Sequence, residues 1–291
     1  MKTNRLNGAI TALLTPCDKE GNLQFDAILP MVNAQVDAGV VGLFVLGTAG
    51  QGPMLTLDER KILLREILKA ADNRIAVIAH VGAMPTCEAV NLAKDAVKAG
   101  AYAISSVPPV YYRPDAEAVD IYYETISEAS SGVPLLAYNN PSATSYDLRP
   151  EQVKRLYEAG TIAGVKQASD SVADLHSLIR AGVPVWMASA TLNTAALAMG
   201  ARGTISTITN VIPELFVALF DAMKVGNLQE ARELQSVIDT TAAQLRSPII
   251  GALHAGASLR GLPAGMPRRP LRMPNESEML AIQKILDQVL E

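Results

Sequence analysis

The chain has 291 residues, of which 49% are hydrophobic and 19% are charged, a balance that excludes an intrinsically disordered protein. Its 25 lysines and arginines against 29 aspartates and glutamates give a net charge of −4, so no basic excess indicates a nucleic-acid partner. The two cysteines, Cys17 and Cys87, form no CxxC pair, which excludes a disulfide framework and indicates a reducing compartment.

The sequence predicts neither a secretory leader nor a membrane helix. The apolar run near the N-terminus is interrupted by threonines and lacks a small-x-small cleavage site. The uncharged stretch over 38–57 contains five glycines together with Gln51 and Pro53, a composition unsuited to a membrane helix. We therefore expect a cytoplasmic protein without a membrane partner.

A recurring pattern predicts alternating helices and strands. At six places an amphipathic stretch ends in a small residue and a glycine, and a short apolar run follows, first after Ala38-Gly39 and last after Met199-Gly200. Glycine just past a helix end readily takes the left-handed conformation, so each run after it is predicted to be a strand. With two further apolar runs, eight strands are predicted, over 9–15, 41–46, 75–81, 102–107, 133–138, 162–167, 184–188 and 203–207.

Eight strand–helix units within residues 1–225 predict an α/β fold, a (β/α)8 TIM barrel that forms the catalytic domain. The predicted strands are apolar throughout, as expected where both faces of a sheet are covered. A doubly wound open sheet is the alternative, but no GxGxxG or Walker A loop supports it. After Gly226 the pattern is helical only, so residues 226–291 are predicted to be a C-terminal helical extension that serves packing or subunit contact.

Lys166 is the most informative residue for chemistry. Reacting groups of such barrels gather at the C-terminal ends of the strands, and Lys166 follows an apolar run in the sixth predicted strand. Burial would lower the pKa of its ammonium, and a neutral amine condenses with a ketone to form a Schiff base. The alternative is a structural lysine that reaches solvent or pairs with a carboxylate.

Polar residues follow several other predicted strands. Tyr138 ends the fifth strand, where its hydroxyl can relay protons or merely pack. The loop after the second strand contains Gly47, Thr48 and Gly50, and its exposed amides can bind a carboxylate or simply form a tight turn. Ser189 follows the seventh strand and can line a pocket. The three histidines have no metal-ligand spacing, so no metal site is predicted.

These motifs together resemble the pyruvate-dependent class I aldolase family that includes dihydrodipicolinate synthase and N-acetylneuraminate lyase. They are Gly-Thr-x-Gly after strand 2, Tyr-Asn-x-Pro after strand 5 and Gly-x-Lys on strand 6, and the resemblance covers nearly the whole chain. It implies that Lys166 forms an imine with pyruvate or another 2-keto acid and that Tyr138 relays protons. It further implies that Thr48 and the amide of Ala49 bind the carboxylate. Tyr111 would reach a neighbouring subunit's site in a homo-oligomer, a tetramer, and no cofactor is implied.

Departures from the family pattern bear on the substrate. The loop reads Thr48-Ala49-Gly50-Gln51 where dihydrodipicolinate synthases usually have Thr-Thr-Gly-Glu, and Ala143 stands where they carry an arginine that holds substrate carboxylate. Lyases for N-acetylneuraminate usually present Gly-x-Asp after strand 7, where this chain has Ala188-Ser189-Ala190.

The remaining motifs resemble the 2-keto-3-deoxygluconate aldolase branch more closely. They are the segments 47–53, 138–144 and 209–214, although Ala168 replaces a threonine common in that branch. The resemblance therefore implies a carbon–carbon lyase that cleaves or forms a 2-keto-3-deoxy sugar acid. The alternatives are a dihydrodipicolinate synthase, a keto-deoxy acid dehydratase of the same family and a non-catalytic relative that binds 2-keto acids.

Overall fold

The computed structural model describes residues 3–290. Eight parallel strands close into a barrel in chain order. The strands are β1 (Gly8–Ala12), β2 (Gly42–Val45), β3 (Ala76–His80), β4 (Ala103–Ser106), β5 (Leu135–Asn139), β6 (Gly164–Gln167), β7 (Val185–Met187) and β8 (Gly203–Ser206). Because β1 pairs with both β2 and β8, the sheet has no open edge, which confirms the predicted (β/α)8 barrel over the doubly wound sheet.

The first strand is shorter than the predicted segment 9–15. β1 ends at Ala12, and the N–H of Leu14 donates to the side-chain oxygen of Asn210 (3.1 Å) instead of to a neighbouring strand. Leu13 and Leu14 nevertheless stay buried. The apolar pattern therefore overestimates the strand where the chain leaves the sheet but remains in the core.

Helices cover the outside of the barrel, and α2 begins with a capping box. The Thr56 hydroxyl accepts from the N–H of Glu59 (3.2 Å), whose carboxylate accepts from the N–H of Thr56 (2.8 Å). The helices are α1 (Ile28–Asp37), α2 (Leu57–Ala71), α3 (Thr86–Ala99), α4 (Ala116–Ala129), α5 (Pro141–Thr144), α6 (Pro150–Glu158), α7 (Val172–Arg180), α8 (Asn193–Met199), α9 (Pro213–Val225), α10 (Leu228–Gln244), α11 (Ile249–Leu259) and α12 (Glu276–Leu290).

Trp186 anchors the segment before β1 to the barrel wall. Its indole N–H donates to the carbonyl of Leu6 (2.6 Å), and the side chain is fully buried. A Cβ atom on Gly164 would lie 2.7 Å from Cζ3 of this ring, so glycine is required at the start of β6. The tryptophan thereby packs against the first residue of β6, the strand that carries Lys166 two residues later.

The C-terminal extension is helical, as predicted, and it returns to the barrel between α11 and α12. The Arg268 guanidinium donates to both carboxylate oxygens of Glu59 at the start of α2 (2.7 and 3.0 Å) and to the carbonyl of Gly21 (2.7 and 3.0 Å). These bonds tie the extension to the β1–α1 loop and to the first turn of α2. Within residues 3–290, no helix has both the length and the apolar character needed to cross a membrane.

Candidate active site

Lys166 lies opposite Tyr138 in the β5–β6 ladder, with its side chain inside the barrel. It is 3% exposed, and its amine lies over the rings of Phe44 (4.1 Å) and Tyr138 (3.9 Å). None of the ion pairs formed within residues 3–290 includes it. The lysine is therefore neither a solvent-exposed nor a carboxylate-paired residue.

Burial determines the protonation of this lysine. Removal from water lowers the pKa of the Lys166 ammonium below its ordinary value, and interaction with Tyr138 opposes only part of that effect. The neutral form is thus more accessible at Lys166 than at a surface lysine. The neutral amine is the form that nucleophilic attack on a carbonyl carbon requires.

The Tyr138 hydroxyl connects β5 to the loop after β2. It accepts a hydrogen bond from the side-chain amide of Asn140 (3.1 Å) and lies 3.5 Å from the hydroxyl of Thr48. The Tyr138 ring packs edge-on against Phe44 (5.7 Å between ring centroids) and His80 (6.2 Å). A short chain of hydroxyl groups therefore leads from the lysine to the turn at residues 47–51.

His80 and Arg60 add a neutral ring and a buried cation near the lysine. Burial, reinforced by Arg60 and Lys166, holds the pKa of His80 well below its ordinary value. The Nε2 atom of His80 accepts from the N–H of Val107 (3.3 Å). Burial lowers the pKa of Arg60 to about 10, and its guanidinium donates to the carbonyls of His80 (2.7 Å) and Gly82 (3.0 Å). This positive charge also disfavours a second cation on His80.

Two backbone N–H groups of the turn at residues 47–51 point away from the interior of the turn. The carbonyl of Gly47 accepts from the N–H of Gly52, and the carbonyl of Thr48 accepts from the N–H of Gln51, both at 3.1 Å. Across a trans peptide the N–H points opposite to the carbonyl, so the amides of Thr48 and Ala49 face outward. Within residues 3–290 neither amide donates to a backbone or side-chain acceptor. Two adjacent unpaired N–H groups form a site suited to an anion.

Close packing fixes this turn in place. A Cβ atom on Gly47 would lie 2.5 Å from the Phe44 ring, so a larger residue would displace the aromatic surface under the lysine. The carbonyl of Gly50 accepts from the hydroxyl of Thr15 (2.7 Å), which anchors the turn to the segment after β1. Ala49 is buried, whereas Thr48 is exposed. The turn thus presents one hydroxyl and two amides.

Two predicted site residues lie apart from this cluster. Tyr111 is 83% exposed in the loop after β4, and its ring packs edge-on against Tyr112 (5.1 Å). Ser189 is half-buried after β7, with its hydroxyl 3.1 Å from that of Thr191. Within the described part of the chain, no hydrogen bond or ring contact joins either residue to Lys166.

Sequence reasoning missed Phe44 and Asn140 as site residues. Phe44 belongs to an apolar strand, and no pattern separates a phenylalanine under a lysine from any other core residue. Asn140 follows Tyr138 by two residues, and its amide donor to the tyrosine hydroxyl was foreseeable from the Tyr-Asn-Asn-Pro motif. Phe44 packs against both Lys166 and Tyr138, and Asn140 donates to the Tyr138 hydroxyl.

A closed (β/α)8 barrel with a buried lysine near the C-terminal ends of its strands is the architecture of a class I aldolase, a carbon–carbon lyase. The model of the dihydrodipicolinate synthetase family matches residues 5–289, and the chain belongs to this family.

Relatives of the chain include lyases of known type. An N-acetylneuraminate lyase from Rhizobium meliloti (strain 1021) is 35% identical over 290 residues, which cover 98% of this chain and 96% of that protein. Among solved structures, a catalytic lysine mutant of Ruminococcus gnavus sialic acid aldolase has a TM-score of 0.95 at 25% identity, covering 99% of this chain and 97% of that one. A prophage protein of the dihydrodipicolinic acid synthase family from E. coli K12, in complex with pyruvate, has a TM-score of 0.94 at 26% identity, covering 98% of each chain.

Burial of the lysine amine predicts a trade of stability for function. Lys166→Met is expected to raise the free energy of unfolding near neutral pH by roughly 1 kcal/mol, because it removes a group whose charged form is disfavoured inside the barrel. Since the folded-state pKa is lowered, the destabilisation by Lys166 is complete below that pKa and disappears as the pH rises toward the ordinary lysine value. The advantage of the variant should therefore shrink as the pH approaches about 10.

Urea unfolding at a series of pH values measures this difference. Lys284→Met, at an exposed position of α12, is the matched control and should leave the free energy of unfolding close to the wild-type value. A gain in Lys166→Met that stays constant with pH, or a loss of stability, would contradict the expectation.

Proposed function

We propose that this chain is a class I aldolase in which Lys166 forms a Schiff base with pyruvate or another 2-keto acid and that it cleaves or forms a 2-keto-3-deoxy sugar acid. The observation that carries this proposal is the burial of the Lys166 amine between two aromatic rings, with no ion pair to any described carboxylate. The E. coli prophage protein, solved in complex with pyruvate, and the R. gnavus sialic acid aldolase, solved as a catalytic lysine mutant, support it.

The proposed chemistry begins with attack of the neutral amine of Lys166 on the C2 carbonyl of the keto acid. The resulting carbinolamine loses water, and Tyr138 moves protons between nitrogen and oxygen as a general acid–base. The C4 hydroxyl then gives up its proton, the C3–C4 bond breaks, and its electron pair moves into the iminium to form an enamine. An aldehyde leaves, the enamine takes a proton at C3, and hydrolysis releases pyruvate. The iminium is the electron sink, so this chemistry involves no cofactor.

The turn at residues 47–51 is proposed to bind the substrate carboxylate. The outward-facing amides of Thr48 and Ala49 supply two donors, and the Thr48 hydroxyl supplies a third beside Tyr138. Gly47 and Gly50 let the turn pack against its neighbours, as the Gly47–Phe44 approach illustrates. Ser189, in the loop after β7, is proposed to contact the distal part of the substrate, because that loop lies at the same end of the barrel.

Borohydride trapping tests the Schiff base. Incubation with pyruvate and borohydride is expected to attach a reduced three-carbon adduct to Lys166, located by peptide mapping. Lys166→Arg should lose the adduct, because a guanidinium does not deprotonate in a protein and so cannot act as the nucleophile. Lys154, an exposed lysine paired with Glu158, is the internal control for non-specific labelling. A peptide map with Lys166 unmodified at saturating pyruvate would overturn the proposal.

The same experiment assigns the role of Tyr138. Tyr138→Phe keeps the ring that packs against the amine but removes the hydroxyl, so imine formation is expected to slow by roughly 10²- to 10⁴-fold. Tyr157→Phe, on the outer helix α6, is the matched control. Unchanged trapping and turnover in Tyr138→Phe would reduce Tyr138 to a packing residue.

Ala143 favours a sugar-acid substrate over the dihydrodipicolinate synthase alternative. The residue is exposed in α5, immediately after β5, and it offers no guanidinium for the carboxylate of a second substrate. We expect pyruvate release from a panel of 2-keto-3-deoxy sugar acids to exceed condensation with aspartate semialdehyde by roughly 10- to 100-fold in kcat/KM. Ala143→Arg should narrow this difference by improving the condensation.

The panel also separates the remaining alternatives. Dehydration of the same acids without pyruvate release would indicate the dehydratase, and imine trapping with negligible turnover would indicate a non-catalytic 2-keto-acid binder. Efficient dihydrodipicolinate formation by the wild-type chain would overturn the preference for sugar acids.

We further propose a homo-oligomer, a tetramer, in which Tyr111 completes the site of a neighbouring subunit. Tyr111 and Tyr112 are 83% and 69% exposed, and Met84 nearby in the β3–α3 loop is 45% exposed. Met84 and Val110 line a surface cavity of about 470 Å³. Exposed aromatic residues of this kind are enriched at protein–protein interfaces.

The unpaired cysteines and the net charge of −4 support a cytoplasmic location without membrane or nucleic-acid partners.

Light scattering at micromolar concentration tests the assembly. The wild-type chain is expected to have the mass of a tetramer, and replacing Tyr111 and Tyr112 with alanine should shift it to smaller, less active species, because the aromatic contacts are lost. Leu280→Ala, at a site 71% exposed in α12, is the control and should leave the mass unchanged. A fully active wild-type monomer would contradict the proposal and leave the Lys166 chemistry unaffected.

A further inference from the structure

Gln51 closes the turn that carries the proposed carboxylate site. Its backbone has φ 52°, in the left-handed region that non-glycine residues seldom occupy. From this conformation its N–H donates to the carbonyl of Thr48 (3.1 Å), the bond that directs the Ala49 amide outward. The orientation of the anion-binding amides thus depends on a backbone conformation that needs support from elsewhere.

The side chain of Gln51 is 2% exposed and has two specific partners. Its Oε1 atom accepts from the backbone N–H of Arg268 (2.7 Å), and its Nε2 atom lies 3.5 Å from Nε2 of His254. His254 Nδ1 lies 2.7 Å from the carbonyl of Ala264, which can only accept, so Nδ1 carries the proton. Nε2 of His254 is therefore the acceptor and the Gln51 amide the donor.

Both partners of Gln51, and the carbonyl that binds His254, belong to the C-terminal extension. His254 lies in α11, while Ala264 and Arg268 lie in the segment between α11 and α12. Burial lowers the pKa of His254 to about 4, so the ring is neutral at physiological pH. The titratable groups nearby are the Arg268 guanidinium, its partner Glu59 and the buried Cys17 thiol.

We propose that Gln51 is a positioning residue for substrate carboxylate binding and that it must be an amide because it joins a backbone donor to a neutral imidazole acceptor. The proposal rests on the function assigned above to the turn at residues 47–51. Through these contacts the C-terminal extension holds Gln51 in the left-handed conformation and so sets the direction of the Thr48 and Ala49 amides. A carboxylate at position 51 could still accept from Arg268, but its second oxygen would face the lone pair of His254.

Two substitutions separate the side-chain anchors from the backbone preference. Gln51→Gly favours the left-handed conformation but removes both anchors, whereas Gln51→Glu keeps the size of the side chain and replaces its donor with an acceptor. Each is incubated with increasing pyruvate and borohydride, at about pH 6 and about pH 8, to obtain the half-saturating concentration and the limiting trapping rate at Lys166. Thermal melts confirm that the variants are folded.

We expect both variants to raise the half-saturating pyruvate concentration at about pH 8 by roughly 10- to 100-fold, with little change in the limiting rate. For Gln51→Glu the defect should shrink several-fold at about pH 6, because the new carboxylate raises the pKa of His254 and a protonated ring can donate to it. For Gln51→Gly the defect should be the same at both pH values. Gln244→Glu, at an exposed position at the end of α10, adds the same charge and is the control. It should leave the half-saturating pyruvate concentration unchanged at both pH values.

Particular outcomes would overturn the proposal. Wild-type-like half-saturation in Gln51→Gly would show that backbone preference alone suffices, and a pH-independent defect in Gln51→Glu would show that His254 is not its partner. A fall in limiting rate with unchanged half-saturation would place Gln51 in the chemistry instead. Failure of wild-type Lys166 to form any adduct would overturn the proposed function itself, a result distinguishable from all of these.

Discussion

The amine of Lys166 is enclosed by the rings of Phe44 and Tyr138 inside the barrel. No carboxylate among the described residues pairs with it, and the rest of the site is arranged around this buried amine. A buried ammonium is unfavourable, and the faces of Phe44 and Tyr138 offer it weaker compensation than a carboxylate would. The balance moves toward the neutral amine, which is the reactive form. A carboxylate beside the amine would favour the ammonium form and raise the pKa of Lys166.

Such a site needs a rigid enclosure, and the closed barrel provides one. Every strand pairs on both sides, so the register that places Lys166 opposite Tyr138 is fixed by the ladders around it. Trp186 packs against the start of β6, and Phe44 of β2 fills the space between the lysine and the turn that follows its own strand. A displacement of Trp186 or Phe44 would therefore also shift the amine of Lys166.

The barrel and its lysine could be predicted from the sequence because their signals are local. Small residue–glycine pairs mark helix ends, short apolar runs mark strands, and Lys166 and Tyr138 lie within recognisable motifs. The contacts of Gln51 are different in kind. Its partners His254 and Arg268 are 203 and 217 residues away in the chain, and a histidine in an apolar helix has no spacing that indicates its partner. Likewise, no pattern distinguishes Phe44 from the other apolar residues of β2.

The site divides its tasks between distant parts of the chain. Strands β5 and β6 supply the amine and the hydroxyl, whose chemistry depends on burial and on their fixed register. The turn after β2 is the proposed carboxylate site, and its closing residue Gln51 contacts a C-terminal extension that lies outside the barrel wall. The two sets meet at the Tyr138–Thr48 contact and at Phe44, whereas the extension contacts the turn at Gln51. We therefore expect substitutions in the extension to change the proposed affinity for a 2-keto acid more than they change the lysine environment. On the proposed mechanism, a barrel of this type can thus acquire new substrate preferences while its imine chemistry stays constant.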